Sequence, residues 1–368
     1  MAGMTTDLAL DDRAAAARAA ANRGLVRRPL TMADELRSLA DHGSAQSTTW
    51  DIYGAKGPVS ELESRVAQLL DKPAAAFFPS GVMAQQAALR AWCDRSGCRR
   101  VALPDLSHLL HHEGDGPRVL HDFELHPLTI GAVTARGEHV VAIPGRVGAI
   151  LVELPLRDGG YLLPSWSELV EVSSACRGRS IPLHFDGARL WESAPWFDRP
   201  LSEIAALADS IYVSFYKGLG GLAGACIAGP ADVVEETRLW RKRMGGTVYT
   251  LFPHALAALR GLDTLLPRMP EFHTYAKELA NALTSKGFRT SPVHSVAFRL
   301  FAPWMPRELR ERAIVVMERD RIVMPDRWSA ADVPGWSWTE ITVGPTIVEW
   351  PVDEAASVLE RLLAPLPG

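Results

Sequence analysis

Apolar and polar positions along this chain fall into alternating short runs and longer periodic stretches. Ser60 to Leu70 carries Leu62, Val66, Leu69 and Leu70 at helical spacing. The run Ala74-Ala75-Ala76-Phe77-Phe78 fits a buried strand; Pro79-Ser80-Gly81 ends it, and Val82 to Trp92 reads as a helix. Further strand-like runs are expected at Val140–Ile143, Ala149–Val152, Ile181–Phe185, Ile211–Phe215 and Ala225–Ile227, with helical patterns at Trp166–Cys176, Leu201–Ala208 and Ala231–Lys242. Strands alternating with helices predict an α/β fold with a mostly parallel sheet flanked by helices on both faces. Prolines near 266–270 mark a boundary. Beyond it a helix (Thr274–Leu283), a strand (Val296–Leu300) and two helices (Pro306–Met317, Val352–Leu363) suggest a smaller α+β domain. The Ala-rich residues 1–22 read as a frayed or helical arm. The expected division is an N-terminal segment 1–49, a large domain 50–265 and a small domain 266–368.

Composition narrows the function classes. The 368 residues are 47% apolar and 22% charged, with a formal net charge of -4, an ordinary globular balance. No long basic run points to a nucleic-acid partner. No apolar stretch approaches membrane-spanning length, and the N-terminus lacks a basic start followed by an apolar segment, so a cytoplasmic location is expected. The four cysteines, Cys93, Cys98, Cys176 and Cys226, lack the paired spacing of a structural zinc site and read as reduced thiols. No metal is expected. The cluster His108, His111, His112 and Glu113 does not match the His-Glu-x-x-His zinc pattern either.

Two strand ends carry chemistry. His184-Phe185-Asp186-Gly187-Ala188-Arg189 delivers a carboxylate, a glycine and an arginine to the edge where α/β sheets keep their sites. Ser214-Phe215-Tyr216-Lys217-Gly218-Leu219-Gly220-Gly221 ends a strand in a lysine and a glycine-rich turn, 31 residues after Asp186. A carboxylate and a lysine on neighbouring strand ends suit pyridoxal 5'-phosphate. The desolvated amine of Lys217 would hold the aldehyde as a Schiff base. Asp186 would pair with the pyridine nitrogen and keep the ring an electron sink.

These segments resemble the threonine aldolase and aromatic amino acid β-eliminating lyase family of fold-type I pyridoxal-phosphate enzymes. The resemblance rests on Asp186-Gly187-Ala188-Arg189 and Lys217-Gly218-Leu219-Gly220. It extends through Asp51-Ile52-Tyr53-Gly54, Pro79-Ser80-Gly81, Ser107-His108, Glu113, and Trp240-Arg241-Lys242 followed by Gly245-Gly246. It implies that Ser80, Gly81 and Val82 form the turn that holds the cofactor phosphate at a helix N-terminus, with Val82 where the family usually has a hydroxyl. It also implies that His108 stacks on the ring and takes part in proton transfer, that Arg189 grips the substrate carboxylate, and that Ser214 and Arg189 border the cofactor. Tyr53 and Lys242 match positions that reach the site in part from a neighbouring subunit, implying a homodimer or homotetramer with shared active sites. The implied reaction is Cα–Cβ cleavage of a β-hydroxy-α-amino acid to glycine and an aldehyde.

Three departures from the family pattern bear on the substrate. Asn22-Arg23-Gly24-Leu25 stands where the family has a carboxylate-touching serine. Tyr249 replaces an arginine near the phosphate. Glu340, in Trp338-Thr339-Glu340-Ile341-Thr342, stands where another carboxylate-binding arginine is usual. Arg23 is expected to restore some of that charge, or the substrate is bulkier or carries a cation facing Glu340. Trp328, Trp336, Trp338 and Trp350 either line such a pocket or pack the small domain. Two other readings stay open: a pyridoxal enzyme performing β-elimination, transamination or another Cα reaction in specialised biosynthesis, and a non-catalytic protein that kept the fold.

Overall fold

The computed structural model describes residues 2–26, 31–47 and 49–364. Its contacts form two compact units, Met32–Met269 and Met1–Thr31 with Pro270–Gly368. Residues 1–31 join the smaller unit, and their helix, Ala2–Ala20, buries Leu10, Ala14 and Ala17. Arg13 of that helix pairs with Glu318, and Arg18 with Asp326. A short strand β1 (Arg23–Gly24) follows.

The larger unit is built on seven strands: β2 (Ala74–Phe78), β3 (Arg100–Leu103), β4 (Glu124–Pro127), β5 (Ala149–Glu153), β6 (Leu183–Gly187), β7 (Ser210–Ser214) and β8 (Ala225–Gly229). Their spatial order is β2-β8-β7-β6-β5-β3-β4, and only β8 runs antiparallel to its neighbours. Every residue of β5, β6, β7 and β8 is buried, as a sheet covered on both faces requires. Six strands therefore end at one edge.

Local chemistry sets where the flanking helices begin. Ser80 caps the helix Gly81–Ser96 by accepting from the Met83 N–H at 3.3 Å. Ser165 and Glu168 form a reciprocal capping box at the start of Trp166–Gly178. Pro58 sits in the first turn of Gly57–Leu69. A part-buried ion pair links three elements: Glu63 on that helix accepts from both Nη atoms of Arg238, at 2.9 and 2.7 Å, and from the Phe77 N–H of β2.

The expected strand at Val140–Ile143 is instead part of a helix, Gly137–Ala142. Val140 is buried but Val141 is exposed, the one-sided burial of a surface helix. Conversely, β3 and β4 had no clear sequence signal. β4, with the sequence Glu-Leu-His-Pro, lies at the sheet edge and is only partly buried, so it needs no apolar run.

The smaller unit contains a four-stranded antiparallel sheet. Its strands are β9 (Arg289–Thr290), β10 (Ala297–Pro303), β12 (Ser329–Ala330) and β13 (Trp336–Thr342), in the order β12-β13-β10-β9. A separate strand β11 (Ile322–Val323) pairs in parallel with β1. Helices Pro306–Asp320 and Val352–Glu360 belong to this unit. No described helix is long and apolar enough to cross a membrane.

Candidate active site

A pocket lies at the sheet edge where the parallel strands end. Its lining includes Gly81, Val82, His108, Asp186, Arg189 and Lys217, six of the positions singled out from the sequence. Each arrives by its own strand-end connection. Gly81 follows β2, His108 follows β3, Asp186 lies within β6, and Lys217 is three residues beyond β7. A wound sheet converges such groups because every parallel strand delivers its following loop to the same side.

Asp186 is almost fully buried and accepts the Ala188 N–H at 3.0 Å. Burial pushes its carboxyl above the ordinary range, partly opposed by Lys217. Burial in turn lowers the Lys217 ammonium, helped by Arg189 and opposed by Asp186. The Gly218 N–H donates to Glu192, whose other carboxylate oxygen accepts from Arg189 Nη1 at 2.9 Å. A Cβ on Gly218 would sit 2.3 Å from that carboxylate, so the residue after Lys217 must be glycine. Arg189 is therefore fixed by a buried partner before any substrate arrives.

His108 donates its backbone N–H to Glu153 at 3.0 Å, and its ring Nδ1 lies 3.5 Å from Glu113. Glu113 raises the imidazole above its ordinary value. Glu113 is itself held by Gln86 Nε2 at 2.9 Å. His112 pairs with Asp158 at 2.7 Å. Among the described residues no cluster could hold a metal ion.

The helix that starts at Gly81 opens onto the pocket. A Cβ on Gly81 would sit 2.0 Å from the Tyr212 hydroxyl, so only glycine lets this turn approach β7. Ser80 spends its hydroxyl on the Met83 cap, and Val82 presents a half-exposed apolar side chain. An anion at this turn would therefore meet backbone N–H groups of the helix start. Ser214 is buried in β7 below Lys217.

The remaining expected site residues lie elsewhere. Tyr53 is exposed, with its ring edge-on to Tyr249 at 5.4 Å, and Lys242 is exposed at the end of helix Ala231–Arg243. Neither lines the pocket. Arg23 belongs to the smaller unit, where its guanidinium lies 3.4 Å from the centre of the Trp350 ring and 3.2 Å from Glu354. Glu340 stands opposite Arg299 in the β10–β13 register. Of the four tryptophans, Trp350 is buried and donates to the Gly24 carbonyl, and Trp338 and Trp336 stack with Arg299 and Arg289.

Sequence reading missed Gln85, Glu153, Arg157 and Tyr212, all in the lining. Glu153 had the same signal as Asp186, a carboxylate ending an apolar strand. Gln85 had none, because one polar residue in a helical stretch reads as solvent-facing.

The residues present fit pyridoxal 5'-phosphate. They supply a desolvated lysine, a buried carboxylate beside it, a glycine turn at a helix start, and one buried amide nitrogen, Gln85 Nε2, without a partner.

Comparisons with known proteins agree with this geometry. Residues 39–299 match the family model described as beta-eliminating lyase. The chain is 27% identical over 308 residues to low-specificity L-threonine aldolase 1 of Arabidopsis thaliana, covering 77% of this chain and 86% of that protein. A solved structure from Listeria monocytogenes, assigned as an L-allo-threonine aldolase, superposes with a TM-score of 0.89 at 32% identity, covering 96% of this chain and 99% of that one. One from Exiguobacterium sp. 255-15, assigned as an aromatic amino acid beta-eliminating lyase/threonine aldolase, gives 0.88 at 33% identity, covering 95% and 99%.

Proposed function

The chain belongs to the threonine aldolase and β-eliminating lyase family and is a pyridoxal-phosphate-dependent lyase, and from that premise we propose that it cleaves the Cα–Cβ bond of a β-hydroxy-α-amino acid, releasing glycine and an aldehyde. The observation that carries this reading is the convergence of Lys217, Asp186, His108 and Arg189 on one pocket.

Bound cofactor supplies an electrophilic aldehyde and a ring that takes up the electron pair released at Cα. Lys217 offers the aldehyde an amine whose ammonium form is disfavoured by burial. Asp186 would hold the ring nitrogen of bound cofactor, and a cation there would oppose the upward push that burial gives its carboxyl. Arg189, braced by Glu192, orients the substrate carboxylate through its planar fork. His108 in its neutral form takes the proton of the β-hydroxyl as the Cα–Cβ bond breaks. A proton added at Cα completes glycine, so the protons balance. Tyr53 and Lys242, exposed and outside the lining, are the positions through which a second copy would complete the site.

Borohydride treatment of the cofactor-loaded protein, followed by mass mapping, should leave the pyridoxyl group on Lys217. Aldehyde, keto acid and ammonia release should then be followed in parallel on threonine, phenylserine and a basic β-hydroxy amino acid. Aldehyde with stoichiometric glycine is expected. Ammonia or keto acid without aldehyde would overturn the reaction assignment, and an unmodified Lys217 would overturn the site.

A further inference from the structure

One polar chain in the larger unit runs from the interior of the sheet to the pocket, and the reaction described above does not use it. Helix Gly81–Ser96 contributes both of its ends, Gln85 and Trp92, seven residues apart and so on one face. Between them, on paired positions of β6 and β7, stand His184 and Ser210. Trp92 Nε1 lies 2.8 Å from Ser210 Oγ, Ser210 Oγ lies 2.7 Å from His184 Nδ1, and His184 Nε2 lies 2.8 Å from Gln85 Oε1.

The direction of this chain follows from what each group can do. An indole nitrogen only donates, so Ser210 Oγ accepts from Trp92. At the other end Gln85 Oε1 only accepts, so His184 carries its ring hydrogen on Nε2 and its Nδ1 accepts the Ser210 hydroxyl hydrogen. One neutral imidazole satisfies all of this. His184 is fully buried, and burial pushes its pKa down to about 3, so it carries a single ring hydrogen. With its oxygen engaged, Gln85 has its NH₂ as the remaining polar end. The residue is 2% exposed, lines the pocket, and its Nε2 has no partner. An unpaired buried amide is costly and is retained where a ligand supplies the acceptor. Gln85 also lies one helical turn after Gly81, and side chains on a helix lean toward its N-terminus.

We propose that Gln85 is a cofactor-binding residue whose amide N–H donates to an oxygen acceptor of bound pyridoxal phosphate, with Trp92, Ser210 and His184 as positioning residues that fix which end of the amide faces the pocket. The proposal rests on the cofactor assignment and not on which amino acid is cleaved.

The test is equilibrium titration of the cofactor-free full chain with pyridoxal phosphate, read by absorbance and fluorescence, so that no turnover is needed. Q85M should weaken binding about 10- to 100-fold with an unchanged melting temperature before cofactor is added. Q85E, which turns an anionic oxygen toward the pocket, should bind more weakly than Q85M. W92F should weaken binding in the wild-type background and have no effect in the Q85M background, because Trp92 acts only through Gln85; a purely structural role would shift both alike. Wild-type affinity in Q85M, tighter binding by Q85E than by Q85M, or equal W92F effects in both backgrounds would each overturn the proposal. Should Q85M fail to fold, W92F and Q85N carry the test, with Q85N expected to lose affinity. Absence of aldehyde release by wild type that binds cofactor bears on the proposed reaction alone.

Discussion

Glu153 stands directly beside Asp186, paired in register at the ends of β5 and β6. Two carboxyl groups thus share one buried edge, and Glu153 is further tied to the connections that carry His108 and Arg157 by accepting both backbone N–H groups, at 3.0 and 3.1 Å. Burial first, and the neighbouring carboxylate second, raise Glu153 above its ordinary 4.5.

That pairing makes stability depend on pH. A carboxyl raised by folding holds its proton more tightly in the native state. Its contribution is intact below the unfolded value and is lost as pH rises from about 4.5 through the raised value. In cofactor-free protein, E153Q should therefore gain on wild type as pH goes from 5 to 8, by on the order of 1–3 kcal/mol. Urea unfolding of both proteins across that range checks it; a pH-independent difference would refute it.

Glu113 should set the acidic limb of the activity profile. It raises His108, and the proposed proton acceptor must be neutral, so activity should climb with pH through that raised value. E113Q should move the climb to lower pH. H108N should cut kcat/KM by about 10²–10⁴-fold. Rate profiles for the three proteins decide this, and an unmoved limb in E113Q would remove Glu113 from the account.

Arg189 is braced by Glu192, so its fork is preset. R189Q should raise KM for an amino acid substrate about 10- to 100-fold, the loss of a charge-assisted hydrogen bond, while cofactor affinity changes little. Steady-state kinetics beside a cofactor titration separate the two quantities.

Glu63 anchors the larger unit away from the pocket. E63A would leave Arg238 and the Phe77 N–H without their shared acceptor, costing about 3 kcal/mol. Denaturant unfolding measures this, and a loss under 1 kcal/mol would show that water replaces the carboxylate.

Much of this protein could be read directly from its residues. Short apolar runs and amphipathic spacing specify β2, β5, β6, β7 and β8 and most of the helices around them, because burial on both faces demands apolar side chains whatever the neighbours are. Asp186 and Lys217 were legible as well, since a carboxylate and a lysine at the ends of two successive buried strands form the pair that a pyridoxal cofactor needs. Edge strand β4 and the helix Gly137–Ala142 were not. A half-covered edge tolerates polar residues, and Val140–Ile143 is too short for periodicity to separate strand from helix.

What only the folded chain decided is partnership between distant residues. That Glu153 neighbours Asp186, that Arg23 stacks on Trp350, and that Trp92 reaches Gln85 through Ser210 and His184 all follow from how strands and helices pack together. Local sequence carries the preference of each segment for its own conformation. Which hydrogen-bonding groups meet is fixed by packing across separations of tens to hundreds of residues, where a short-range pattern has no reach.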